Sequence, residues 1–122
     1  MWGPILVGAT ILLAGFVLGC VEQPGLPDDC DASAVQRDVS LGSERLDPES
    51  IDVCKGQDVT IAIASEADGD LHIHGHDAEV AVEAGATATL TITASLAGQF
   101  LIELHSEDGS EVEVGLLTVH EP

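Results

Sequence analysis

From Ala34 to the C-terminus, apolar residues recur in short alternating runs, each closed by residues that favour turns. The first run is Ala34 to Leu41, separated by Gly42-Ser43 and Asp47-Pro48 from a second at Ser50 to Cys54. After the Lys55-Gly56-Gln57-Asp58 turn, Val59 to Ala64 places Val59, Ile61 and Ile63 on one face of an extended chain. An acidic loop, Glu66-Ala67-Asp68-Gly69-Asp70, leads into Leu71-His72-Ile73-His74. Asp77 to Glu83 keeps Val80 and Val82 in phase, and Ala88 to Ala94 turns Leu90 and Ile92 inward. Gln99 to His105 and Val112 to Val119 complete the series across a Glu107-Asp108-Gly109-Ser110 turn. No helical period of useful length interrupts it, so the pattern predicts an all-β sandwich of seven or eight strands over residues 34–122.

The N-terminal pattern is different. Ile5 to Leu18 is continuously apolar apart from Gly, Ala and Thr, and it closes on Val17-Leu18-Gly19-Cys20. This resembles a bacterial lipobox, in which residues 1–19 are a signal peptide and Cys20 receives lipid. No Lys or Arg precedes the apolar run, in departure from the usual positive n-region. The competing reading is an uncleaved transmembrane anchor, since Met1 to Val21 just reaches the ~20 residues that span a bilayer. Either way the remainder is expected outside the cytoplasm, in the cell envelope. Residues 20–33, with two prolines, a glycine, several acids and no hydrophobic period, read as a lipid-anchored linker between membrane and domain.

Composition changes the picture in two respects. One Trp, two Phe and no Tyr leave an aliphatic core as the only choice, which suits a sheet. The 22 acidic residues against 3 basic ones give a formal charge of −19, and a surface without Lys and Arg clusters does not hold nucleic acid. The acids are spread along the chain, the pattern of a solvating coat suited to salt; such a coat also attracts cations.

Candidate chemistry is concentrated at Asp68 to Asp77, where three of the five histidines fall within five residues. In a strand, His72 and His74 share a face, with Cα atoms ~6.6 Å apart at ~3.3 Å rise per residue, while Leu71 and Ile73 point the other way. Gly75 lets His76 turn back towards them. Neutral imidazole is the commonest ligand for copper, zinc and nickel; the alternative is a set of solvated histidines at a strand end. Imidazole ligation implies that metal affinity weakens as pH falls below ~6.

With Cys20 assigned to lipid, Cys30 and Cys54 remain as an even pair in a small exported domain, and a disulfide is the simplest assignment. Closing that loop is worth roughly 3 kcal/mol in the chain-entropy model. A copper thiolate at Cys54 is the competing assignment, but nothing in the sequence places that residue near the histidines.

Several of these stretches together resemble a cupredoxin, the small β-sandwich of the blue-copper proteins, over Val35 to about His120. They are Ile51 to Ile61 with its Lys55-Gly56 turn, Asp70 to Asp77, Gly85 to Ile92, and Ala97 to Leu104. The resemblance implies a Greek-key sandwich and identifies His74 with the family's first histidine ligand. It also shows what is missing: the cysteine expected near Leu104 is absent, Ser110 and an apolar strand stand where the second histidine and the methionine would be, and the one methionine is Met1. Without thiolate there is no blue-copper chemistry. What the resemblance leaves is His72, His74 and His76 at one corner, with His105 brought close by the fold, as ligands for Cu(II) or Zn(II). Asp70, Asp77, Glu103 and Glu107 are candidate oxygen ligands or partners that orient the rings, and His120 is a spectator on the tail.

The leading functional expectation is a lipid-anchored, non-blue copper or divalent-metal-binding module of the cell envelope, with a membrane or periplasmic protein as possible recipient. The alternative is a metal-free sandwich used for protein contact, since fold alone does not fix function. An enzyme is not expected: no nucleophile motif and no phosphate-binding glycine loop occurs, and no catalytic residue is assigned.

Overall fold

A computed structural model describes Gly3 and residues 26–122. The expected signal peptide over residues 1–19 and the lipidation site Cys20 lie outside the described residues.

Nine strands follow in order: β1 (Ala34–Leu41), β2 (Leu46–Asp47), β3 (Ser50–Cys54), β4 (Asp58–Ser65), β5 (Gly69–Ile73), β6 (Ala78–Val82), β7 (Thr87–Thr93), β8 (Gly98–His105) and β9 (Glu111–His120). They form a four-stranded sheet ordered β2-β1-β4-β7 and a five-stranded sheet ordered β3-β9-β8-β5-β6. No helix occurs among the described residues. The strand beyond the expected seven or eight is β2, two residues long and paired to the end of β1 at Ser40–Asp47 and Leu41–Leu46. It is too short for any alternation to announce it. The pairings β1–β4 and β3–β9 are parallel and the others antiparallel.

The core is aliphatic, as the scarcity of aromatics requires. Val59, Ile61 and Ile63 of β4 are buried, as are Leu71, Ile73, Ile102, Leu104, Leu117 and Val119 from the opposite sheet. Each such side chain contributes about 1.5–3 kcal/mol on leaving water. Alternation holds the sandwich together and also decides what remains outside it, because residues between these positions on β5 and β8 face solvent.

The last residues of the linker are fastened to the sandwich. Cys30 and Cys54 are joined by a disulfide, their Cα atoms 5.4 Å apart. The buried Gln57 donates from Nε2 to the carbonyls of Asp29 (2.8 Å) and Ala32 (2.9 Å), while its Oε1 accepts from the Cys54 amide (2.8 Å). The Arg37 guanidinium grips the Asp29 carboxylate through both oxygens at 2.8 and 2.9 Å. That hydrogen bonding holds the Asp29 carboxyl below its usual range. His120, expected on a free tail, lies in β9, and its Nε2 is 2.9 Å from Asp52 Oδ1.

Candidate metal centre

The outward face of the five-stranded sheet carries two rows of side chains set by register. One row runs Glu79, His72, Glu103, Glu113 across β6, β5, β8 and β9; the next runs Ala81, Asp70, His105, Glu111. Residues directly opposite on neighbouring strands share a face, with Cβ atoms about 4.5–5.5 Å apart, so imidazoles and carboxylates interleave. The phase of β9 depends on a bulge. Ile102 pairs with Gly115 but Glu103 pairs with Glu113, which leaves Val114 as the extra residue. Below the bulge Leu117 and Val119 point inward; above it Val114 is buried and Val112 packs on the core, which turns Glu111 and Glu113 outward beside the histidines. Gly115 permits the bend, since a Cβ there would stand 2.9 Å from Leu46 Cδ1 and closer still to the Glu49 carbonyl oxygen.

Glu103 is the centre of the cluster. Its Oε1 lies 2.9 Å from His74 Nε2 and its Oε2 lies 3.3 Å from His105 Nε2. The His72 ring neighbours both histidines, 4.7 Å from the His74 ring and 5.7 Å from the His105 ring between centroids. The first approach is close without being aligned as a hydrogen bond, so His74 Nε2 is buried and has no hydrogen-bond partner. His74 itself is held by its backbone amide, which donates to the Leu101 carbonyl at 2.9 Å. Glu103 keeps 16 % of its side-chain surface exposed, against 44 % for His74 and 35 % for His105. The carboxylate is therefore the sheltered member and the imidazoles form its rim. Among the described residues, Glu103, His105 and Glu111 present ligand atoms that all lie within 4.8 Å of one another.

No Lys or Arg balances these acids. Arg37 pairs with Asp29, Arg45 with Glu49 and Lys55 with Glu121, which accounts for all three cations of the chain. Glu103 and Glu113 face each other as like charges, an arrangement that destabilises a bare sheet.

Against the sequence expectations, the structure brings His72, His74 and His105 to one carboxylate and takes His76 away. Gly75 (φ +79°) and Asp77 (φ +48°) reverse the chain, and the His76 ring meets Phe100 edge-on at 4.5 Å, its two nitrogens buried without partners. The turn that Gly75 supplies thus carries His76 to Phe100 instead of back to the cluster. Asp77 is exposed in the same turn, and Glu107 lines a separate acidic groove with Asp68, Asp70 and Glu83. The position where a thiolate was sought is also displaced: Leu104 pairs with Leu71, both buried, whereas His74 lies opposite Leu101. Glu111 and Glu113 escaped the sequence reading. Their alternation with Val112 and Val114 was visible, but which of the two faces they take depends on the bulge.

No protein-family model matches the sequence, and no curated protein matches it. Similarity appears at the level of solved structures. The chain superposes on the blue copper oxidase from Nitrosomonas europaea with a TM-score of 0.56 at 20% identity, over 72% of this chain and 39% of the oxidase. It superposes on a copper binding protein in the apo form with a TM-score of 0.57 at 15% identity, over 73% of this chain and 90% of that one. A third match is the dithionite-reduced auracyanin from Roseiflexus castenholzii, with a TM-score of 0.55 at 16% identity, over 73% of this chain and 99% of auracyanin. The fold is therefore cupredoxin-like. The chain spans well under half the length of the oxidase.

Proposed function

We propose that the protein is an extracytoplasmic metal-binding module that holds copper, or another divalent ion of similar preference, on the outer face of its five-stranded sheet. One observation carries this reading: a sheltered carboxylate, Glu103, flanked by the Nε2 atoms of His74 and His105 with the His72 ring beside both. Imidazole and carboxylate without sulphur suit Cu(II) and Zn(II) and do not give the blue-copper geometry. The similarity to proteins named for copper supports copper as the first ion to test. Export is supported by the Cys30–Cys54 disulfide, which belongs to an oxidising compartment. Anchoring through lipid on Cys20 is supported by the Leu18-Gly19-Cys20 sequence, with residues 21–28 as the reach between membrane and sandwich. The role is binding, with transfer to a membrane or periplasmic protein as its use.

The test is elemental analysis and a visible spectrum of the full-length protein, in detergent, after loading with one equivalent of Cu(II). Retained copper without intense blue colour is the expected result. Glu103→Ala should weaken retention by more than about tenfold, since losing even a partner that only orients a ligand costs about 10–100-fold. A folded protein that retains no copper and no zinc would leave the metal-free interaction reading, for which the exposed Leu101 beside the cluster is the natural contact.

A further inference from the structure

The cluster is wider than one ion needs. His74 and His105 approach different oxygens of Glu103, and the His72 ring neighbours both. His105 has a second oxygen donor within reach at Glu111, which His74 does not share. Resting on the metal-binding reading above, we infer that the site is a carboxylate-bridged pair: Glu103 lends Oε1 to an ion shared with His74, whose nearest imidazole neighbour is His72 at 4.7 Å between ring centroids, and Oε2 to a second ion held by His105 and Glu111.

Three features of the chain support two positions. With metal–ligand bonds of about 2.0–2.1 Å, two donors on one ion stand about 2.9 Å apart at a right angle and about 3.3 Å apart at the tetrahedral angle. The two gaps are 2.9 Å for Glu103 Oε1 to His74 Nε2 and 3.3 Å for Glu103 Oε2 to His105 Nε2, the second also a hydrogen bond, so an ion can replace either contact without the donors moving apart. Second, bridged two-ion sites set their ions about 3.5–4 Å apart, a separation that one carboxylate spans. Third, the charge is unspent: Glu103, Glu111 and Glu113 lie side by side with Asp70 and Glu79 in the same two rows, and every Lys and Arg is engaged elsewhere. A single divalent ion leaves most of that repulsion in place. Two ions, each beside a different oxygen of Glu103, offset most of it. The first position, with His74 bound and a further imidazole at hand in His72, is the stronger one for copper, and the second, with one imidazole and two oxygens, is the more open to Zn(II).

The experiment is a Cu(II) titration of the full-length protein in detergent, followed by elemental analysis after removal of free metal and by electron paramagnetic resonance at one and two equivalents. Wild type should retain two equivalents, with a signal at two equivalents smaller than twice that at one, because neighbouring Cu(II) ions couple through the shared carboxylate. Glu111→Gln, an exposed position, should retain one equivalent with the uncoupled signal, and His74→Ala should likewise fall from two to one. One equivalent in both wild type and Glu111→Gln would overturn the pair and leave a single-ion module standing. Two equivalents that Glu111→Gln does not reduce, or two magnetically independent signals, would also overturn it, by showing the second ion to be bound elsewhere on the acidic surface. No retained copper in a folded wild type would instead remove the metal-binding reading itself.

Discussion

The two faces of β5 and β8 do opposite work on one backbone. Inward, Leu71 lies opposite Leu104 and Ile73 opposite Ile102, all four within 2% of full burial. Outward, one residue along each strand, His72 lies opposite Glu103 and Asp70 opposite His105. The inner pairs are coupled to the core, whereas the outer pairs meet the neighbouring histidines and acids of that face and solvent. Stability and chemistry are thereby separated by a single step along the chain, and the separation can be tested because substitutions on one face should leave the other unmoved.

The largest effect is expected on the inner face. Leu104→Ala deletes a fully buried side chain opposite Leu71 and should destabilise the fold by about 2–5 kcal/mol in denaturant unfolding, with metal stoichiometry unchanged in the folded fraction. A loss below about 1 kcal/mol would mean that the core does not close across these strands. Next comes the device that joins the faces. Gly115→Ala places a Cβ against the Glu49 carbonyl oxygen and Leu46, and backbone cannot yield as a side chain can. A cost of about 1–3 kcal/mol follows, together with weaker metal retention if the bulge shifts and carries Glu111 out of line. Unchanged retention in a destabilised variant would show that the bulge serves packing alone.

On the outer face, Glu103→Gln keeps the shape of the side chain and removes its charge among unbalanced acids. Stability should move by no more than about 1 kcal/mol, while ion binding falls. A larger loss of stability would break the separation of faces, since it would make the cluster part of what holds the sheets.

The smallest effect belongs to the linker clamp, away from both faces. Arg37 holds the Asp29 carboxyl below its ordinary value, so the pair contributes stability at pH above about 3.8 and loses it as pH falls through the lower folded value. Asp29 is 38% exposed, and screening limits the contribution to a few tenths of a kcal/mol, about the size of an exposed pair. Asp29→Asn should therefore flatten the dependence of Tm on pH in that acid window and change nothing near neutrality beyond a slight drop. An equally steep acid dependence in the variant would assign it to other carboxylates.

Alternation made most of the sandwich legible. β1 and β3 begin and end where the apolar runs predict, and the expected pairing of Cys30 with Cys54 is present. That His72 faces away from Leu71 and Ile73 also followed from local geometry, because the two-residue period of a strand depends on nothing beyond the strand. The placing of His76 lies at a point where no period operates: Gly75 permits several directions, and the ring comes to rest against Phe100, distant in sequence.

Alternation and composition are enough for the strands, the aliphatic interior, the acidic exterior and the side of β5 on which the imidazoles stand. Tertiary structure alone decided what those imidazoles meet. Glu103 arrives opposite His72 through the β5–β8 register, and Glu111 and Glu113 turn outward only because one additional residue is accommodated at Val114. Facing within a strand is set by bonds between neighbours in the chain, but facing across a sheet is set by pairing between segments tens of residues apart, where one residue of slip exchanges a valine for a glutamate.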